Sequence, residues 1–261
     1  MKRVPRLIAV VHLPPLVGAP NQELSLEKTC DLAVNEARLF EKSGFDSVVL
    51  ENFGDRPFFK TEVPTETVSA MSVIANEVRR SVKISVGLNF LRNAALQAMS
   101  VATVTECDFI RVNVLSGVAA TDQGVIEGCA AELLRLKKSL QSNVEVFADV
   151  LVKHAQPLSG SRVDLAIEEA VGRGGARAVI LSGETTGREV NPDRLFEASK
   201  VAKHLKTPLL IGSGANPDNI RELLRFADGA IVSSCLRKNK TPGAPLVPEM
   251  LKRFVKSAHL K

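Results

Sequence analysis

Short apolar runs rich in Val, Ile and Leu recur along the chain and alternate with longer stretches whose apolar positions fall at helical spacing. The runs predict strands at residues 7–13, 46–51, 83–89, 109–114, 143–152, 178–181, 208–211 and 229–232. Between them the pattern predicts helices at 25–42, 65–80, 92–106, 123–140, 163–173, 192–205, 217–226 and 248–258. Local signals agree with the periodicity. Ser25 is placed to cap the first helix, Ala33, Ala37 and Phe40 share its apolar face, and Gly44 can close it. Pro217 suits the first turn of a helix. Strands alternating with amphipathic helices, eight of each, predict an α/β fold, a (β/α)8 TIM barrel spanning residues 1–261 as a single domain. A doubly wound open sheet is the alternative, but no strand-to-helix turn carries GxGxxG.

Composition narrows the class. The 261 residues are 45 % apolar and 24 % charged, ordinary for a globular chain able to bury a large core. The net charge is +5, part of it clustered near the ends at Lys2, Arg3, Arg6, Lys252, Arg253 and Lys256. Aromatics are 4 % and all Phe, which leaves few stacking platforms for single-stranded nucleic acid, so no nucleic-acid partner is expected. Cys30, Cys107, Cys129 and Cys235 are scattered, without CxxC spacing. That argues against a zinc site and against a disulfide framework, and favours a reducing compartment. The apolar start is interrupted by His12 and by Pro14-Pro15, too early for a signal peptide. No run approaches the roughly 18 residues of a membrane helix. A cytoplasmic protein is expected, with self-association common for barrels of this size and a homo-oligomer among the expected states.

In a barrel, chemistry gathers where strands run into the following loops. Every predicted strand end carries a polar group there. Arg111 and Asn113 lie two apart in FIRVNV, so both face one side of the strand with Phe109. Asp149 and Lys153 share parity with Phe147. Asp149 is the candidate base, with Lys153 and Arg111 to stabilise developing negative charge and Glu51 completing the catalytic set. The plain alternative is a buried ion pair that merely holds the barrel together. Asn52, Asn89, Arg92, Asn113, Asp122 and His154 are candidates to bind a polyhydroxylated or carboxylated ligand. His12, a lone histidine at a strand end, reads more simply as locally hydrogen-bonded. Gly212, Ser213 and Gly214 after the seventh strand, with Ser233 and Ser234 after the eighth, form a phosphate candidate, and Gly183, Glu184 and Thr185 can close its third side. The same residues are also ordinary tight-turn formers. No metal-ligand spacing is present, and neither a metal nor a cofactor is expected.

Several segments together carry a resemblance. HLPPLVGAP (12–20), VLENFGDRPF (49–58), VGLNFLRN (86–93), FIRVNVLSGVAATDQG (109–124), EVFADVLVKHA (145–155), SGETTG (182–187) and IGSGANPDNI (211–220) resemble the BtpA family over nearly the whole chain. The resemblance implies a TIM barrel of the phosphate-binding, ribulose-phosphate-binding-like kind. It also implies a link to photosystem I biogenesis, for which the family is named, and carries no settled catalytic activity. The chain departs from the family at Ala94, where an acid is common, and at Ser233-Ser234, where a Gly-Thr pair is. Two functions are therefore expected. One is an enzyme, a lyase or isomerase, working on a small phosphorylated or anionic sugar-like metabolite by aldol, epimerase or isomerase chemistry. The other is a biogenesis or stability factor associated with a membrane complex, for which Phe53, Phe58 and Phe59 with Arg56 and Lys60 are the candidate surface.

Overall fold

Extended backbone occurs in eleven segments of the computed structural model, which describes residues 3–152, 155–158, 160, 162–183 and 190–259. In order they are β1 (Leu7–His12), β2 (Ser47–Glu51), β3 (Ser85–Asn89), β4 (Phe109–Val112), β5 (Val118–Thr121), β6 (Gly124–Glu127), β7 (Glu145–Val150), β8 (Ala155–Pro157), β9 (Ala178–Leu181), β10 (Leu209–Ile211) and β11 (Gly229–Val232). Eight of them close into a ring of parallel neighbours, β1-β11-β10-β9-β7-β4-β3-β2. Helices α1 (Leu26–Ser43), α2 (Thr65–Ser81), α3 (Ala95–Val104), α4 (Ala130–Ser139), α5 (Val163–Glu168), α6 (Pro192–His204), α7 (Ile220–Leu223) and α8 (Pro248–His259) connect them. The structure is the (β/α)8 barrel that the alternating pattern predicts.

The remaining strands overturn one expectation. The segment predicted as the start of a helix at residue 123 is a β-hairpin, with Thr121 paired to Gly124 across Asp122 and Gln123. Gly124 takes a left-handed φ of 93°, which a glycine adopts without a Cβ penalty. β8 adds to the hairpin's other edge, making a three-stranded sheet β6-β5-β8, and helix α4 starts only at Ala130. The apolar residues Val114, Ala119, Ile126 and Val152 pack together in one small cluster with this sheet. The predicted helix at 217–226 is also shorter, condensed to α7.

Why the barrel closes as it does can be read from parity. Inward positions at its lower level are apolar: Ile8, Val10, Val49, Phe109, Phe147, Ile180, Leu210 and Ile231 form one cluster. Phe109 and Phe147 stack with centroids 4.4 Å apart. Gly87 leaves room for them, because a Cβ there would stand 2.3 Å from the Phe109 ring. Gly87→Ala therefore forces the ring off its stack, and we expect a loss of about 1–3 kcal/mol in urea denaturation.

The two ends of the ring differ. At the N-terminal end an Asp precedes β2, β4 and β11, and each clips the neighbouring strand with its carboxylate and its own N–H. Asp46 accepts from Leu7 N at 2.8 Å, Asp108 from Val86 N at 3.0 Å and Asp228 from Leu209 N at 2.9 Å. Those aspartates are used up in holding strands together. At the C-terminal end, one layer above the apolar cluster, the same inward faces carry His12, Glu51, Asn89, Arg111 and Asp149.

Candidate functional site

His12, Glu51 and Asn89 stand side by side because β1, β2 and β3 are paired in register at these residues. Asn89 Nδ2 donates to Glu51 Oε1 at 2.7 Å, and His12 Nε2 lies 3.5 Å from Glu51 Oε2. The other imidazole nitrogen, Nδ1, accepts the backbone N–H of Gly243 at 3.1 Å, with Ser233 Oγ at 3.2 Å. An Nδ1 that accepts from a backbone amide carries no proton, so the neutral ring holds its proton on Nε2, facing the carboxylate. His12 is also stacked on Phe53, centroids 4.3 Å apart, and Arg56 lies over the Phe53 ring at 3.9 Å.

Across the floor, Arg111 grips Asp149 with two parallel bonds, Nε to Oδ2 at 2.8 Å and Nη2 to Oδ1 at 3.0 Å. Asn113 Nδ2 donates to Oδ2 at 3.1 Å, and Ser182 Oγ makes a long contact of 3.5 Å to Oδ1. The Asp149 side chain is fully enclosed. The remaining Arg111 nitrogen, Nη1, is 3.9 Å from Glu51 Oε1. Burial acts to lower the Arg111 pKa, but the Asp149 carboxylate, with Glu51 behind it, outweighs this and raises it. Arg92 goes the other way. Burial pulls its pKa below the ordinary value although Asp149, Asp122 and Glu51 favour its charge, and Arg111 adds repulsion.

These groups open onto one cavity of about 1250 Å³. Its wall includes the predicted Glu51, Arg92, Arg111, Asn113, Asp122, Gly212, Ser213, Gly214, Ser233 and Ser234. Asn89 sits behind Glu51, and Asp149 behind Arg111. Gly183 touches the glycine rim, its N–H donating to Ser213 Oγ at 2.8 Å. Gly212 has a packing reason of its own, since a Cβ would stand 2.3 Å from Ser182 Oγ. Gly214 is left-handed, φ 77°, and Asn219 Nδ2 holds its carbonyl at 3.0 Å. Asn52 is used elsewhere: its Oδ1 accepts from Leu91 N at 2.7 Å and its Nδ2 donates to Asp55 at 3.0 Å, which shapes the loop that carries Arg92. Lys153, His154, Glu184 and Thr185 lie outside the described residues. Among the described residues no three of His, Cys, Asp and Glu converge to hold a metal ion.

The cavity wall also holds residues the sequence reading placed elsewhere or passed over. His12 was legible only as a strand-end residue, and its neighbours are what distinguish it. Phe53, Arg56 and Phe58, read as part of an outward patch, line the cavity, whereas Phe59 is 58 % exposed. Lys240 and Pro242 arrive from the loop after β11 and carry no sequence signal. Lys240 has a left-handed φ of 53°. Cys235 lines the wall too, but burial pushes its thiol up to about 12, which keeps it protonated near neutral pH.

Fold and rim together define a (β/α)8 barrel with a charged cavity at the C-terminal ends of its strands. The model of the BtpA family matches residues 3–260, and the chain belongs to that family. The Photosystem I biogenesis protein BtpA of Synechocystis sp. is 42 % identical over 251 residues, covering 96 % of this chain and 87 % of that protein. An uncharacterized protein of Pyrococcus horikoshii is 47 % identical over 232 residues, covering 89 % of this chain and 87 % of the relative. Among solved structures, N-(5'-phosphoribosyl)anthranilate isomerase from Pyrococcus furiosus superposes with a TM-score of 0.59 at 17 % identity, covering 97 % of this chain and 98 % of the other. Thiamine phosphate pyrophosphorylase from the same organism gives 0.58 at 16 % identity, covering 97 % and 95 %. At that identity the likeness concerns the fold. No described helix is long and apolar enough to cross a membrane.

Proposed function

We propose that this barrel is an enzyme acting on a small phosphorylated, sugar-like metabolite, by proton-transfer chemistry of the isomerase, epimerase or aldol kind. The observation that carries the reading is the Glu51 carboxylate at the cavity wall, bonded to Asn89, next to the Nε2 proton of His12 and 3.9 Å from Arg111. A carboxylate and an imidazole in contact can take a proton from a carbon beside a carbonyl and return it to another atom, work worth roughly 10²–10⁴-fold in rate. Arg92, whose pKa burial has lowered, is placed to meet the oxyanion that such a step develops. Asp149 has the positioning part in this reading: its side chain is fully enclosed, absent from the cavity wall that Glu51 lines, and bonded to Arg111 and Asn113, so it orients Arg111 and does not act as the base. The phosphate is assigned to the rim of Gly212, Ser213, Gly214, Ser233 and Ser234, the loops where barrels commonly hold one, with Lys240 closing over it.

The experiment is a thermal-shift and calorimetry screen of the full chain against inorganic phosphate and pentose and hexose phosphates. A ligand at about a hundred times its Kd should add about 2.7 kcal/mol of stability. Lys240→Ala should weaken phosphate-ligand affinity roughly 10- to 100-fold, the worth of a charge-assisted bond. Glu51→Gln should keep that affinity and cut turnover at least about 100-fold. Absence of any stabilisation by sugar phosphates at millimolar concentration would overturn the reading. The assembly-factor alternative draws support from the name of the Synechocystis relative, but Phe53 and Phe58, two of the three rings it would rely on, line the cavity.

A further inference from the structure

We infer that the site takes a monophosphate whose other end is uncharged and donates hydrogen bonds, as a chain of hydroxyls does, and that it turns away ligands with a second anionic group at that end. The inference rests on the reading above and names the substrate class within it.

Most charges on the cavity floor are already paired. Arg111 is matched by Asp149 through two bonds, and its third nitrogen faces Glu51. One of the two Asn89 amide N–H groups donates to Glu51, and one of the two Asn113 amide N–H groups to Asp149. The Asn113 amide cannot turn round, because its carbonyl oxygen would then meet the Asp149 carboxylate. Its Oδ1 is thus fixed as an acceptor, and it is buried with no partner. Glu51 adds a buried carboxylate to the floor, and Asp122 an exposed one to the cavity wall. Among the described residues the deep end therefore offers mainly acceptors and negative charge that Arg92 and Arg111 already balance. A second carboxylate or phosphate placed there would stand against Glu51 and compete with it for Arg111.

The mouth is different. Arg56 and Lys240 line the same cavity and have no ion-pair partner among the described residues. The Arg56 guanidinium lies over the Phe53 ring, and Lys240 sits on the loop whose Gly243 N–H is bonded to His12. One anionic group fits at this end, beside the glycine rim, and the deep end fits hydroxyls. A hydroxyl there can both donate to Glu51 and accept from the guanidinium groups, whereas a carboxylate can only accept.

The test compares ligands of one carbon skeleton. Sorbitol 6-phosphate and 6-phosphogluconate differ only in a terminal hydroxymethyl against a carboxylate, and ribitol 5-phosphate and 5-phosphoribonate differ likewise. Their affinities for the full chain are measured by calorimetry at fixed salt, with inorganic phosphate as the reference. The alditol phosphate should bind at least tenfold tighter than its acid partner. Glu51→Gln and Asp122→Asn, by removing negative charge, should shrink that ratio toward one. Equal or tighter binding of the acids overturns this inference while leaving a phosphate site intact, and so does a ratio that neither variant changes. Failure of every phosphorylated ligand, with inorganic phosphate also silent, overturns the proposed function and this inference with it.

Discussion

Asp149→Ala should lower the unfolding free energy by about 3–5 kcal/mol, because it strands the Arg111 guanidinium in the middle of the barrel without its carboxylate. Arg111 is 3 % exposed and makes both of its close bonds to this one residue. A guanidinium stays protonated at any working pH, and the nearest remaining carboxylate, Glu51, stands 3.9 Å from Nη1. For a chain of this size the loss corresponds to a fall in Tm on the order of 10 °C. Arg111→Ala should cost a similar amount from the opposite side. The double replacement Arg111→Met with Asp149→Leu removes both charges and fills the volume, so it should recover most of the stability while abolishing ligand binding. Denaturant titrations of the single and double variants decide the matter. A loss under about 1 kcal/mol for Asp149→Ala would mean that the pair is not the electrostatic keystone the geometry describes.

Arg237→Ala should rank with it. Arg237 is 3 % exposed and ties three parts of the chain: Nη1 and Nη2 each reach Glu36 of α1 at 2.7 Å, Nη2 donates to Val10 O of β1 at 3.0 Å and Nη1 to Ala244 O at 2.8 Å. Residues 237–247 hang from this knot, with Lys238 N bonded to Pro245 O at 2.9 Å and Val247 N to Leu236 O at 2.8 Å. Losing the guanidinium removes a donor from two backbone carbonyls, Val10 O and Ala244 O, and detaches the loop that brings Lys240 and Gly243 to the cavity. We expect a cost of about 3–5 kcal/mol and, in the same variant, the loss of phosphate affinity seen for Lys240→Ala. Arg237→Lys keeps the charge but not the fork, and should restore less than half of the stability. An unchanged melting temperature for Arg237→Ala would show that the loop is held by something else.

The barrel was readable because each strand is a short β-branched run and each intervening helix has one apolar face, and both periods are local properties of the chain. The hairpin over Asp122 was misread for the same reason. Ala119, Ala120, Val125 and Ile126 are too few to separate a strand pair from a helical turn, and the deciding contact comes from residues 155–157, remote in sequence. Asn52 shows a further limit. It stands next to Glu51, yet its side chain is spent on Leu91 and Asp55, which only the packed loop reveals. His12 shows the converse, since nothing local marks it, and its contacts come from three parts of the chain: Glu51 and Phe53, Ser233, and Gly243.

From sequence alone follow the (β/α)8 ring and the set of inward polar residues at its C-terminal end: Glu51, Asn89, Arg111, Asn113 and Asp149. Strand parity decides which face a side chain takes, and parity is a property of the single strand. Which carboxylate Arg111 takes, Asp149 enclosed or Glu51 left facing the cavity, is decided only by the closed ring, whose register lays β4 against β7 and leaves β2 two strands away. The same closure returns residues 237–247 over the first strand and adds Lys240 to a site that no local pattern could have joined it to.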